Sequence, residues 1–292
     1  MTDDQSGDLR RRDPAEFLRR ETAVRPGRVG DEIGGIRVGA GHCELVDDEF
    51  LLCAETVRLH YRKGDGVTLD RLGGGAPGEE ELFLNGSVYA AAACINGFYP
   101  LHASAVAHGG RVFAFTGPSG AGKSTLTAAL GGAGLPMFCD DTLVLDLSDP
   151  AVPMALPGHK RLKLTPEAVA LTGAVARERV HEEVDKHYAE PPGGDWQTAL
   201  PLTHLAFLED GPACAVEPIS GAERMTRLED DHYTADYHRR ATRLDPAGWF
   251  RLRARLAGQI AMVRLVRPRD LDRFAESVAL ARQWIVAQDW PA

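Results

Sequence analysis

The chain of 292 residues has no long apolar run. Its best candidate, Val88 to Phe98, is shorter than the ~18 residues a membrane-spanning helix requires and holds Asn96 and Gly97. Cysteine is sparse. Cys43, Cys53, Cys94, Cys139 and Cys214 are dispersed without a CxxC pair, which excludes a zinc-cluster spacing and a disulfide framework. Positive charge is in deficit, with 33 Lys and Arg against 42 Asp and Glu and a net charge of −9. The one basic run, Arg10-Arg11-Arg12, is short, so the footprint of a nucleic-acid binder is missing. The opening Met1-Thr-Asp-Asp has no apolar h-region of a secretory signal. These absences predict a cytoplasmic protein with reduced thiols, no membrane span and no nucleic-acid partner.

What is present is globular. The hydrophobic fraction is 44% and the charged fraction 26%, enough to bury a core without staples. The length predicts two domains or one large α/β domain, and 31 glycines fit an α/β chain with many tight turns. Pro14–Glu21 reads as a short helix capped by Asp13. Strand-like stretches follow from Ile33 to Tyr61, and Gly73–Gly78 punctuates the chain. Residues 1–84 are thus expected to form a small strand-rich N-terminal domain, and 85–292 the main domain. In the latter, Asn85 or Ser87 is expected to cap a helix over Val88–Gly97, followed by a strand over Tyr99–Ala107 and a second over Arg111–Thr116. Strands are also expected at Leu135–Cys139, Leu143–Leu147, Leu202–Leu208, Ala213–Ile219 and Ala261–Val266. Helices are expected at Lys123–Leu130, Pro166–Leu171, Val175–Tyr188, Pro246–Gln259 and Leu271–Ala287.

Gly117-Pro118-Ser119-Gly120-Ala121-Gly122-Lys123-Ser124 fits the pattern GxxxxGK[ST], between an apolar strand and a run of helix formers that begins at Thr125. Glycines let backbone N–H groups curl into an anion-binding nest, and the helix N-terminus adds positive potential. Lys123 can reach the β- and γ-phosphates of ATP and the Ser124 hydroxyl can bind Mg²⁺. An ordinary glycine-rich turn before a helix does not call for the Lys-Ser pair. The predicted ligand contacts are Gly117 through Thr125. Asp140-Asp141 ends the next apolar stretch, 16 residues beyond Ser124. Beside a phosphate loop, such carboxylates suit Mg²⁺ coordination or proton abstraction.

This spaced set, with His102 in the strand before the loop, resembles HPr kinase/phosphorylase and its serine-kinase relatives. The likeness is sharp over residues 101–147, with His102-Ala-Ser-Ala-Val and Gly134 contributing. It implies an α/β P-loop kinase domain of the HPr kinase and phosphoenolpyruvate carboxykinase type, and ATP-dependent phosphorylation of a serine hydroxyl. Carried over, Lys123 holds phosphates, and Ser124 with one aspartate holds Mg²⁺ while the other aspartate deprotonates the acceptor. Asp140 is assigned as base and Asp141 to the metal. His102 is placed by the acceptor or γ-phosphate, or else is a hydrogen-bonded core histidine. The Glu-Ile-Arg-Gly-Leu-Gly segment tied to phosphorylase activity is missing; the equivalent region reads Ala155 to Leu164. In look the chain is closest to HPr-kinase-like proteins of lasso-type peptide biosynthesis. That implies a peptide or protein serine as acceptor, such as a ribosomal precursor peptide, without phosphorolysis. The family also implies homo-oligomers. A small-molecule kinase acting on free serine or another metabolite alcohol is the alternative, and a non-catalytic nucleotide-binding module a third reading.

Weaker candidates are Arg161, in Lys160-Arg161-Leu-Lys163, to neutralise transferring charge, and Lys186, to reach phosphate or to pair with Glu182 on a helix. Pro191–Asp195 reads as a lid over the site or an ordinary linker. Leu228–Leu244 reads as a peptide-recognising stretch or a solvated helix face.

Overall fold

A computed structural model describes residues 3–74, 78–181, 183–229 and 233–288, with side chains from residue 7 onward. Helix α1 (Asp3–Arg12) is followed by α2 (Pro14–Glu21), where Asp13 accepts from the Glu16 N–H and Pro14 opens the helix. Strand β1 (Val24–Pro26) leads to a small hairpin, β2 (Glu32–Ile33) and β3 (Ile36–Arg37). Then come β4 (His42–Val46), β5 (Glu49–Cys53), β6 (Val57–Arg62) and β7 (Gly66–Arg71). Val57, Leu59 and Tyr61 are buried while their neighbours are not, the alternation of a half-covered antiparallel strand. The sheet runs β1-β7-β6-β5-β4.

The buried face of that sheet is covered by elements from beyond residue 84. Helix α3 (Glu79–Phe83) passes through a π-helical turn, Leu84–Val88, into α4 (Tyr89–Ile95). Asn85 and Ser87 therefore lie inside a helical run that starts earlier, not at its cap. The run begins before them because three glutamates fill its first turn, which favours a helix start. Gly97, at φ 75°, closes it as expected. The alanine-rich α4 packs on Phe50, Leu59 and Tyr61 in one cluster with Val67 and Leu69. Tyr61 Oη donates to Glu21 at 2.6 Å and accepts from Asn96 at 2.7 Å.

The stretch Tyr99–Ala107 forms two strands, not one: β8 (Tyr99–His102) and β9 (Ser104–His108), separated at Ala103. Strand β8 pairs with a later strand, whereas β9 turns back on β10 (Arg111–Thr116). Helix α5 (Lys123–Gly132), β11 (Met137–Cys139), β12 (Thr142–Asp146), β13 (Met154–Leu156), β14 (Leu162–Leu164) and α6 (Pro166–Thr172) follow.

The predicted helix at Val175–Tyr188 is a hairpin, β15 (Val175–His181) and β16 (Val184–Glu190), paired to β14. Its charged residues favour a helix locally. The free edge of β14 and the burial of Val180 and Tyr188 override that preference. Glu182 lies outside the described residues, and the i,i+4 pairing proposed for Lys186 falls with the helix.

Next come β17 (Leu200–Asp210), β18 (Ala215–Pro218), α7 (Glu223–Arg227), α8 (Tyr233–Thr242), α9 (Pro246–Gln259), β19 (Ala261–Arg267), a 3-10 turn at Leu271–Arg273 and α10 (Phe274–Val286). Residues 230–232, in the candidate peptide-recognising stretch, lie outside the described residues; the rest of that stretch is mostly α8. Tyr237 of α8 packs on Phe50 at a ring separation of 5.3 Å and reaches Cys43 Sγ at 3.0 Å.

Among the described residues nine strands form the central sheet, ordered β11-β9-β10-β17-β13-β12-β8 with β19 on β17 and β18 on β19. Strands β10, β17 and β19 are parallel and covered on both faces. Along β10, Val112 and Ala114 face the cluster with Leu256 and Ala257 of α9. Phe113 and Phe115 face Leu126 and Leu130 of α5 and Ile285 of α10. The mixed α/β architecture is the one expected. No helix among the described residues is long and apolar enough to cross a membrane.

Candidate functional site

Parallel strands covered on both faces leave a crevice at their carboxyl ends. Here the chain leaves β10 at Thr116, loops through Gly117–Gly122 and enters α5 at Lys123. Gly122 has φ +82°, the left-handed region, and a Cβ there would lie 2.9 Å from Arg267 Nη2. The loop thus turns tightly against Arg267, which donates to the Ala121 carbonyl. Burial lowers the Arg267 guanidinium from its ordinary value. Helix α5 begins with no side-chain cap. Its first N–H groups line a cavity of about 570 Å³ bounded by Ser119 through Thr125, His102, Asp140, Asp141, Lys163 and the segment Arg267–Leu271. Lys123 is buried, and its Nζ donates to the carbonyls of Gly117 at 2.8 Å and Pro118 at 3.2 Å.

The two aspartates occupy different environments. Asp140 is buried and accepts from Ser104 Oγ at 2.5 Å, Ser124 Oγ at 2.8 Å and the Lys163 N–H at 3.3 Å. Burial, and then the negative charge of Asp141, raise its carboxyl above the ordinary carboxylate range. Asp141 is half-buried, receives Lys163 Nζ at 2.7 Å and has His102 Nδ1 3.7 Å from its Oδ1. The Thr142 N–H donates to the Asp140 carbonyl at 2.9 Å, a γ-turn centred on Asp141 with φ +71°. That backbone is strained for a residue with a side chain. A Cβ added at Gly86, in the π-helical turn, would come within 3.7 Å of Asp141 Oδ2. His102 Nδ1 lies 3.1 Å from the Asp141 carbonyl oxygen, and Thr116 Oγ1 donates to the His102 carbonyl at 3.0 Å.

The structure therefore brings His102, Ser119 through Thr125, Asp140 and Asp141 into one cavity; Gly117 and Pro118, also expected to contact the ligand, lie outside its lining, their carbonyls accepting from Lys123. It is Asp140, not Asp141, that touches Ser124. Arg161 lies elsewhere: it pairs with Glu81 and Glu178 and stacks over Tyr188, with no place in the cavity lining. Lys160 donates to the Phe138 carbonyl, and burial brings its ammonium down to about 8. The 191–195 loop is pinned to the far end of α5. There a Cβ on Gly131 would lie 2.4 Å from the Pro192 carbonyl oxygen, so the loop does not cover the cavity. Sequence reasoning gave no role to Ser104, Lys163 or Arg267. The signal for the first was its spacing of two from His102; for the second, its place between Leu162 and Leu164 in an alternating strand.

Ser124 and Asp140 are hard oxygen donors already in contact, which suits a magnesium ion that takes its remaining ligands from phosphates and water. The described residues contain no cluster of His, Cys, Asp and Glu that would cage a metal unaided. An uncapped helix start and Lys123 suit the phosphates of a nucleotide.

No family model and no curated protein matches the chain. Among solved structures it is similar to the Hpr(Ser) kinase/phosphatase from Coxiella burnetii, at 13% identity over 64% of this chain and 96% of that one, with a TM-score of 0.32.

Proposed function

We propose that the chain is an ATP- and Mg²⁺-dependent kinase that phosphorylates a serine hydroxyl of a peptide or small protein. The observation that carries this is the contact of Ser124 with Asp140 at the start of α5, with Asp141 beside it and paired to Lys163. A nucleotide-binding module needs the first contact; a second carboxylate held in a strained turn serves an acceptor.

Bound magnesium would supply charge neutralisation at the phosphates. Lys123 leaves the loop carbonyls to hold the β- and γ-phosphates, and the loop amides fix their orientation. Ser124 and Asp140 would hold that ion. Asp141 takes the acceptor proton as the acceptor oxygen bonds to the γ-phosphorus and the bond to the bridging oxygen breaks, leaving ADP. Lys163 aims Asp141 through their ion pair, and His102 anchors the turn through the Asp141 carbonyl. The base and metal roles are thus exchanged relative to the sequence-based assignment. Cytoplasmic location and homo-oligomeric assembly remain part of this reading.

The cavity also has the size of a small-ligand pocket, which favours a metabolite alcohol such as free serine as the second reading. The test is incubation with γ-labelled ATP, Mg²⁺ and, separately, serine-containing peptides and free serine. Label on a peptide supports the first reading and label on free serine alone the second. ATP bound with no label transferred would overturn both and leave a binding module.

A further inference from the structure

The cavity has two ends beyond the phosphate loop. One lies against Arg267–Leu271, next to Ala121 and Gly122. The other is bounded by Leu82, Leu171, Val180, Val184, Lys163 and Lys186. This second end adjoins Asp141. Lys163 pairs with that carboxylate, and Leu82 sits one helical turn from Gly86, whose Cβ position is 3.7 Å from Asp141 Oδ2. An acceptor hydroxyl that meets Asp141 therefore brings its neighbouring atoms into the hairpin end.

The wall there is the three-stranded sheet. Lys163 on β14 sits opposite Tyr188 on β16, and Lys186 lies one pleat further along β16 on the same face, about 7 Å away along the strand. The two lysines differ in one respect. Lys163 has Asp141, whereas Lys186 is half-buried and no carboxylate among the described residues pairs with it. Leu82, Leu171, Val180 and Val184 share the cavity lining with it, as does Glu167 of α6, which makes no ion pair with it. An ammonium in the cavity wall with no ion-pair partner is placed to receive an anion.

We infer, on the reading that the chain is a kinase, that Lys186 receives an anionic group carried by the acceptor a few bonds from its hydroxyl. The acceptor class is then a hydroxyl compound with a neighbouring carboxylate. Its source is either a free β-hydroxy amino acid or an acidic residue next to a peptide serine.

The test pairs each anionic acceptor with its neutral counterpart: L-serine with serinamide, and a Ser-Glu peptide with a Ser-Gln peptide. The full chain should prefer the acid of the pair it uses, and which pair takes label identifies the source. Lys186→Gln should raise KM for the acid by about tenfold or more, leave KM for the amide unchanged and leave ATP affinity within about twofold; Lys186→Arg should restore most of the loss. An equal loss on acid and amide, or a loss of ATP affinity instead, overturns the inference while the kinase reading stands. No transfer by the unaltered chain to any acceptor, with ATP still bound, overturns the kinase reading and this inference with it.

Discussion

Lys163 Nζ lies 2.7 Å from Asp141 Oδ2, so a strand that follows the acidic pair returns to neutralise its second member. The same strand offers the Lys163 N–H to Asp140. One residue thereby serves both carboxylates, by charge on one side and by backbone on the other. The two aspartates are consequently unequal, and their substitutions should be too.

Asp141→Asn keeps a residue that tolerates the left-handed backbone. It should lower kcat by about 10²- to 10⁴-fold while ATP affinity stays within about twofold. Asp140→Asn should instead weaken Mg²⁺-dependent ATP binding by about tenfold or more. Calorimetric titration with and without Mg²⁺, beside steady-state rates, separates the two; identical profiles would remove the division of roles.

Lys123→Ala should abolish measurable transfer, a fall of at least about a hundredfold. The side chain donates to the loop carbonyls of Gly117 and Pro118, and the variant should fold, with an unchanged circular dichroism spectrum. Retained turnover in a folded Lys123→Ala protein would exclude the phosphate loop from the reaction.

Acid should destabilise the fold through His238. The ring is buried between Tyr99, 4.9 Å away, and Trp249, 5.0 Å away, and burial lowers its value to about 4. The unfolded chain, at the ordinary 6.5, binds the proton more readily. Stability from this group is therefore complete above about pH 6.5 and is lost as pH falls toward 4, amounting to about 2 kcal/mol by pH 5. His159, edge-on to Tyr89 at 4.7 Å and also held at about 4, acts in the same direction. Urea midpoints at pH 7.5 and pH 5 measure the difference, and His238→Phe should shrink it.

Gly193 has φ +77°, and a Cβ there would lie 2.1 Å from the Gly131 carbonyl oxygen. Gly193→Ala should cost about 3 kcal/mol from the strained backbone and the clash together. Gly131 is about 12 Å along the α5 axis from Lys123, so ATP affinity should not move. A lid role for this loop would show the reverse: altered affinity with little change in melting temperature.

The elements that position the cavity were legible where local chemistry and tertiary packing agree. The Asp13 cap and Pro14 located α2, and the apolar run before Gly117 located β10. The 175–188 stretch misled because its charged residues favour a helix in isolation, while pairing with Leu162–Leu164 is a non-local event invisible in a window. The phosphate loop was readable because its chemistry is contiguous. The order of Asp140 and Asp141 was not, because a γ-turn with positive φ decides which carboxylate meets Ser124. Arg161 and Lys163 stand two residues apart, yet Arg161, just before β14, pairs with Glu81 and Glu178, while Lys163, within it, pairs with Asp141, a difference no window of sequence shows.

The boundary drawn at residue 84 cuts through a shared interior. Phe50, Leu59 and Tyr61 of the first sheet share a core with α4 and with Tyr237 from far along the chain, and Tyr61 is hydrogen-bonded to Asn96. Neither half can shed the other without wetting that core. Heat should therefore melt both in a single cooperative transition, and a chain begun at residue 85 would present an apolar face that invites self-association.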